Sequence, residues 1–345
     1  MRSRLDEPPT SRSRSFHRPM KPVEKHALDA ADAGSAGVTR PVRRLYDHLI
    51  GMAHGLEAIR TAVVYPVDVP SLAGAIEAGA AGLIVPVLVG PEAKIRAAAR
   101  EAGIDLAPYE IVTAEHDDDA AAVAVAMARA RRVQALMKGA LHTDVLMRAV
   151  VDRDRGLRTA RRISHVFAID VPHYARPLFI TDAAINVRPT LGEKRDIVQN
   201  AIDLATLLGI EEPRVAVLSA VETVTETLPA TIDAAALCKM AERGQIRGGI
   251  VDGPLAFDNA ISADAAHAKG IRSPVAGASD ILVVPDLEAG NMVAKELEYL
   301  ADARIAGIVV GARVPIVLTS RADGTLARLT SCAIALLLAH AATGT

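Results

Sequence analysis

Ile316-Val317-Leu318-Thr319-Ser320-Arg321-Ala322-Asp323-Gly324 begins with three branched apolar residues and passes at once into two hydroxyls, a guanidinium and a carboxylate. The apolar part predicts a buried strand that feeds a polar loop. In open α/β sheets the ligand crevice lies beyond the carboxyl ends of the strands, where loops aim polar groups at a bound molecule. Ser320 and Arg321 are thereby candidates for gripping an anion. A polar turn between strand and helix can equally be punctuation, and this stretch alone does not choose between the two.

Upstream of it, from about residue 45, β-type apolar runs alternate with helical stretches, the pattern of parallel strands joined by crossover helices. The fold class read from this is α/β. Strands are predicted at 61–65, 82–89, 135–137, 163–169, 178–181, 215–219, 249–252, 281–284, 307–310 and 315–318. Ten strands suit two sheets. Ala-rich segments such as 120–131 and 197–208 have the length and propensity of helices. Residues 1–40 carry Arg2, Arg4, Arg12, Arg14, Arg18 and Lys21 among Ser and Pro, with too few apolar side chains to order them. A flexible extension is expected there. Asp6, Glu7 and prolines 8, 9, 19 and 22 spoil the amphipathic helix of a transit peptide.

The chain has 345 residues, half of them apolar, enough for two domains and a substantial core. A net charge of -2 argues against a general nucleic-acid binder but leaves room for a local cationic cleft. With 3% aromatic residues and no Trp, stacking platforms for bases are not expected. Cys238 and Cys332 lie far apart, so neither a zinc motif nor a disulfide framework is implied, and a reducing cytoplasm fits. Apolar runs such as 81–89 are too short to span a bilayer, and the N-terminus lacks a secretory core. No membrane role and no metal are expected.

Five segments run from strands into polar, glycine-containing ends. They are Met137-Lys138-Gly139-Ala140-Leu141-His142-Thr143-Asp144, Ile180-Thr181-Asp182-Ala183-Ala184-Ile185-Asn186, Val251-Asp252-Gly253-Pro254-Leu255-Ala256-Phe257-Asp258, Val284-Pro285-Asp286-Leu287-Glu288-Ala289-Gly290-Asn291-Met292, and the stretch quoted first. Each alone reads as a cap or turn, since Asp and Asn cap helices and Gly supplies dihedrals that Cβ forbids. Asp286 and Asn291 suit N-caps of a helix over 292–300. The same helix start would offer backbone N–H groups to a phosphate, and the two roles can coexist.

Together, in order and spacing, these segments and Ser273-Pro-Val-Ala-Gly277 resemble the phosphate acetyltransferase and phosphate butyryltransferase family, over about Tyr46 to His340. The nearest likeness is to the acyltransferase half of fused enoyl-CoA hydratase/phosphate acetyltransferase proteins. About 45 residues ahead of the match leave no room for a hydratase domain, so the transferase alone is expected. The resemblance implies interconversion of acyl-CoA plus phosphate with CoA plus acyl phosphate, most simply with acetyl as the acyl group and without a cofactor. It implies two three-layer αβα domains with a cleft between them, similar to the isocitrate and isopropylmalate dehydrogenases. One domain would hold 41–158 with 308–345, and the other would be inserted at 159–307. A cytoplasmic homodimer is the family's usual form.

On that resemblance Ser320 and Arg321 match the family's Ser-Arg pair, which stabilises the transition state and binds acyl phosphate. Lys138, His142, Asp286 and Asn291 fall on the substrate side. Arg148 falls six residues after His142, where the family places a phosphate-binding arginine. The residue types alone favour an exposed helix arginine there. A CoA thiol, with a pKa of about 8.5, must lose its proton to attack a carbonyl. In acetate-specific members an aspartate seven residues after the serine is the proposed base, and here that position is Ala327. Asp323 is the substitute within the same loop, and also a natural turn residue before Gly324. An acyl-cysteine route is disfavoured, because Cys238 and Cys332 sit in apolar helical settings.

Two rivals stand beside this reading. A metal- and NAD-dependent hydroxy-acid dehydrogenase on the same fold would use Asp252 and Asp258, though no third ligand is evident. A non-catalytic CoA-binding protein would explain the missing aspartate. Butyryl rather than acetyl preference also remains open, because a pocket separates acyl groups by only about 1–3 kcal/mol per methylene.

Overall fold

A computed structural model describes residues 44–318 and 324–343. The expected N-terminal extension and Ser320, Arg321 and Asp323 lie outside the described residues. In chain order the elements are α1 (Arg44–Ala53), β1 (Ile59–Val64), α2 (Val69–Ala80), β2 (Ile84–Gly90), α3 (Glu92–Ala102), β3 (Glu110–Thr113), α4 (Asp117–Arg129), β4 (Ala135–Lys138) and α5 (Thr143–Val150). The middle of the chain forms β5 (Ser164–Asp170), β6 (Leu178–Thr181), α6 (Leu191–Leu207), β7 (Arg214–Leu218), α7 (Pro229–Glu242) and β8 (Ile250–Leu255). It closes with α8 (Phe257–Ile261), α9 (Ala263–Ala268), β9 (Ile281–Val283), α10 (Leu287–Leu300), β10 (Arg304–Val310), β11 (Ile316–Val317) and α11 (Thr325–Thr343).

All eleven strands join one sheet in the order β3-β2-β1-β4-β11-β10-β5-β6-β9-β7-β8. The two sheets expected from the strand count are therefore one. The reason lies at the middle, where β10 pairs antiparallel with both β11 and β5, and β5 pairs antiparallel with β6. The outer strands on either side are parallel among themselves. Two parallel arrays thus meet across an antiparallel seam.

Strand side chains alternate between faces with a period of two, and the buried residues sort accordingly. Val63, Met137, Val166, Ala168, Phe179, Val283, Ile308 and Val317 belong to one apolar cluster that underlies the sheet from end to end. It is covered by α1, α2, α3, α6, α7 and α11. Ala62, Val64, Leu136, Val309, Ile316 and Leu318 point the other way, under α4 and α5. Ile169, Ile180, Leu282 and Val284 share that second face, but pack in a third, separate cluster with α8 and α10. On one face the core is continuous, and on the other it is broken above the seam.

Local chemistry explains the helix starts that flank the break. Asp286 caps α10, its carboxylate accepting from the Ala289 N–H at 2.9 Å. At α5 the cap position is His142, which makes no side-chain bond to the helix, so the first N–H groups of α5 remain available. By length and composition α11 could cross a bilayer. Here it packs against α1, α2, β10 and β11, with residues 330–337 buried in the continuous core.

Candidate active site

The break in the second face is a cavity of about 380 Å³ lined by Lys138, Leu141, His142, Thr143, His165, Phe167, Ala184, Asn291, Ala294, Lys295, Glu298, Ile305 and Leu318. That size suits a small-molecule site. Lys138 ends β4, and Leu141, His142 and Thr143 form the turn into α5, so the uncapped, partially positive start of that helix opens on the cavity. Leu318 is the last described residue before the Thr319–Asp323 segment.

Opposite this wall stands α10. Asn291, Lys295 and Glu298 recur at helical spacing and share the face that looks on the cavity. Lys295 bonds Glu298 at 2.6 Å, and Lys138 donates to the Gly139 carbonyl at 3.1 Å. Asn291 Nδ2 donates to the Ala183 carbonyl at 3.4 Å, which ties α10 to the loop after β6.

That loop is built around Asp182. Its carboxylate accepts from the Ala184 and Ile185 N–H groups at 3.0 Å each, from the Asn186 N–H at 3.3 Å and from Asn186 Nδ2 at 2.5 Å. Burial raises the Asp182 pKa while these donors oppose the rise. Asn186 is held in turn by Arg162 Nε at 2.6 Å and by the Ile163 carbonyl at 2.9 Å. The clamp presents Ala184 to the cavity and fixes the carbonyl that Asn291 grips.

The floor is β5 and β10. On the broken face β5 offers His165, Phe167 and Ile169 in succession, and β10 offers Val309, Gly307 and Ile305. His165 is 1% exposed, and its ring meets Phe167 edge-on with centroids 4.4 Å apart. A Cβ at Gly307 would stand 2.8 Å from both His165 Nε2 and the Leu318 carbonyl oxygen. Glycine there lets the imidazole lie across β10 beside the end of β11.

Of the residues expected from the sequence, Lys138, His142 and Asn291 come together in the cavity. Asp286 is the cap of α10 and is not among the cavity's lining residues. Arg148 lines a different groove of about 750 Å³ between α4 and α5, where it meets Asp118 at 3.5 Å and Asp144 at 3.3 Å. Sequence reasoning missed His165, Phe167 and Lys295. A histidine inside an otherwise apolar strand, and a lysine one helical turn beyond Asn291, were the signals that could have found them.

The side chains invoked by the rival chemistries are engaged elsewhere. Asp252 accepts from the Gly253 N–H at 2.8 Å, and Asp258 pairs with Lys269 at 3.1 Å. Among the described residues no group of three or more His, Cys, Asp or Glu could hold a metal ion. Burial pushes the thiol of Cys238 up to about 12, with Asp252 and Glu242 adding to the rise, and burial alone does the same to Cys332. Both thiols stay protonated and poorly nucleophilic near neutral pH.

Comparison with known proteins adds an independent line. A model of the family described as phosphate acetyl/butaryl transferase matches residues 117–336. The phosphate acetyltransferase of Rhizobium meliloti is 62% identical over 294 residues, covering 85% of this chain and 93% of that protein. The phosphate butyryltransferase of Clostridium acetobutylicum is 40% identical, covering 85% and 98%. A branched-chain phosphotransacylase from Enterococcus faecalis V583 superposes with a TM-score of 0.71 at 27% identity, covering 82% of this chain and 99% of the other. A putative 4-hydroxythreonine-4-phosphate dehydrogenase from Salmonella typhimurium, at 14% identity and a TM-score of 0.51 over 82% of this chain and 99% of the other, shares the fold alone.

Proposed function

We propose, from the premise that the chain belongs to the phosphate acetyl/butaryl transferase family and is an acyltransferase, that the cavity above the seam is where acyl groups pass between CoA sulfur and phosphate. Acetyl is the preferred acyl group, in keeping with the name of the 62% identical relative. The observation that carries the site is the break in the second-face core. Lys138, the start of α5 and Leu318 border it on one side, with Asn291 and Lys295 on the other.

Acyl phosphate and CoA meet in a ternary complex. The thiolate attacks the acyl carbonyl carbon, the carbon–sulfur bond forms, the bond to the phosphate oxygen breaks, and phosphate leaves. Two demands follow, a cationic seat for phosphate and donors for the tetrahedral oxyanion. Lys138 and the N–H groups at the start of α5 supply the seat together with Arg321. Ser320 is assigned the role of donor to the oxyanion, and Asp323 that of base for the thiol proton. His142 and Asn291 orient the substrate, and Asp286 contributes indirectly by holding the start of α10. Direct transfer consumes no cofactor.

The two parallel arrays that meet at the seam are the two domains of this reading, 41–158 with 308–345 and the inserted 159–307. A cytoplasmic homodimer completes it. For Arg148 to bind phosphate it would have to leave Asp118 and Asp144. That release costs little, because exposed ion pairs are worth about 0–1 kcal/mol.

Thiol release from acetyl-, propionyl- and butyryl-CoA in the presence of phosphate tests the proposal. Release fastest with acetyl-CoA and lost in Ser320→Ala is expected. No release with any of the three, from a protein that still binds CoA, would leave the non-catalytic reading in its place.

A further inference from the structure

The cavity floor holds a polar group that the roles assigned above leave unused. His165 Nδ1 is buried without a hydrogen-bond partner, and among the described residues none bonds Nε2. A ring so placed needs a reason, because an unpaired buried polar atom costs about 1–3 kcal/mol. Four observations locate the reason at the cavity. The ring lines it. A Cβ at Gly307 would come within 2.8 Å of Nε2, so the glycine makes room for the ring over β10. Phe167 fixes the ring plane from the edge. The main chain of His165 is locked as well, its carbonyl accepting from Thr181 Oγ1 at 2.8 Å.

Burial holds the ring neutral, with a pKa lowered to about 3. A neutral imidazole carries one N–H, and the nitrogen that reaches a partner keeps it. Nδ1 is enclosed and has no such partner, so Nε2 is the nitrogen left to meet a ligand in the cavity, and the proton is assigned there.

We propose that His165 Nε2–H donates a hydrogen bond from the cavity floor to the acyl carbonyl oxygen as the tetrahedral intermediate forms. This rests on the acyl-transfer reading. As sulfur adds to the carbonyl carbon, the C=O electron pair moves onto oxygen, where the N–H meets it. When phosphate leaves with the pair of the broken carbon–oxygen bond, the C=O reforms and His165 keeps its proton. His165 is thus a fixed donor and not an acid or base.

His165→Leu and His165→Phe remove the donor with different volumes, and His165→Gln retains an N–H. Thiol release with acetyl-CoA and phosphate is measured for each, per molecule with native near-UV circular dichroism. The donor role predicts a roughly 100-fold fall in kcat for both apolar variants, as for loss of one oxyanion-hole donor. KM for both substrates should stay within about threefold, and His165→Gln should recover at least tenfold of the loss. A purely structural histidine would not give that split or that rescue. Wild-type kcat in either apolar variant overturns the proposal, as does a His165→Gln protein that is native yet as slow as the apolar pair. A wild type that releases no thiol overturns the underlying acyl-transfer reading instead, and is recognised before any variant is compared.

Discussion

The two faces of the one sheet carry opposite designs. Beneath it, a single apolar cluster joins strands from both arrays with α1, α2, α6, α7 and α11, and nothing interrupts it at the seam. Above it, the apolar contacts divide into two clusters, and the ground between them is occupied by Lys138, His142, His165, Asn291 and Lys295. The same strands supply both faces, so the difference is one of alternate residues. Val166 and Ala168 of β5 look down into the core, while His165 and Phe167 look up into the cavity. A continuous face maximises burial and so stability. An interrupted one gives up part of that burial and gains a place where polar groups can meet a ligand.

Four changes test this contrast. The largest effect should come from the continuous face: Leu72→Ala, at a fully buried position on α2, is expected to cost about 2–5 kcal/mol in a urea unfolding experiment. The kcat of the folded fraction should stay near wild type. A large loss of activity with unchanged stability would mean that the lower face is not mainly structural. The converse holds for Lys138→Ala, where kcat/KM for phosphate should fall about 100-fold while the unfolding midpoint moves little. Equal loss in both measurements would make Lys138 a packing residue.

A pH-dependent effect follows from His165. Its folded pKa, about 3, lies below the ordinary 6.5, so the unfolded chain binds a proton in that interval and the native protein does not. Stability is therefore complete above pH 6.5 and declines as the pH falls toward 3, by up to about 1.4 kcal/mol per pH unit. His165→Leu should flatten that part of the urea-midpoint profile. An unchanged slope would show that the ring is not buried as described. The smallest effect is expected for Arg148→Ala. Its guanidinium lies in the α4/α5 groove, and activity within about threefold of wild type is anticipated. A loss beyond tenfold would show that Arg148 swings to the phosphate.

Most of the sheet could be read in advance because its strands are buried on both faces and appear as dense apolar runs. The strand at 178–181 coincides with β6, and nine others lie within a few residues of the observed ones. β3 was missed, since an edge strand with the sequence Glu110-Ile-Val-Thr113 is half exposed and lacks that density. The antiparallel seam was also invisible, because strand direction leaves no mark in composition. Lys138, His142 and Asn291 were legible as polar ends of strands and starts of helices. Arg148 was placed by its spacing from His142, but five residues along a helix from Thr143 turn a side chain by about 140°. Thr143 faces the cavity and Arg148 the neighbouring groove.

By itself, the sequence determined the α/β class, the family and the polar segments from which a site could be built, because periodicity and motif order are local properties of the chain. Tertiary structure alone decided that there is one sheet and not two, that its upper core is broken above the antiparallel seam, and that His165 lies on the floor of the break. Those features depend on which strands become neighbours, and on a glycine in β10 that leaves room for a side chain from β5. Such long-range pairings are fixed only when the whole sheet has closed on its core.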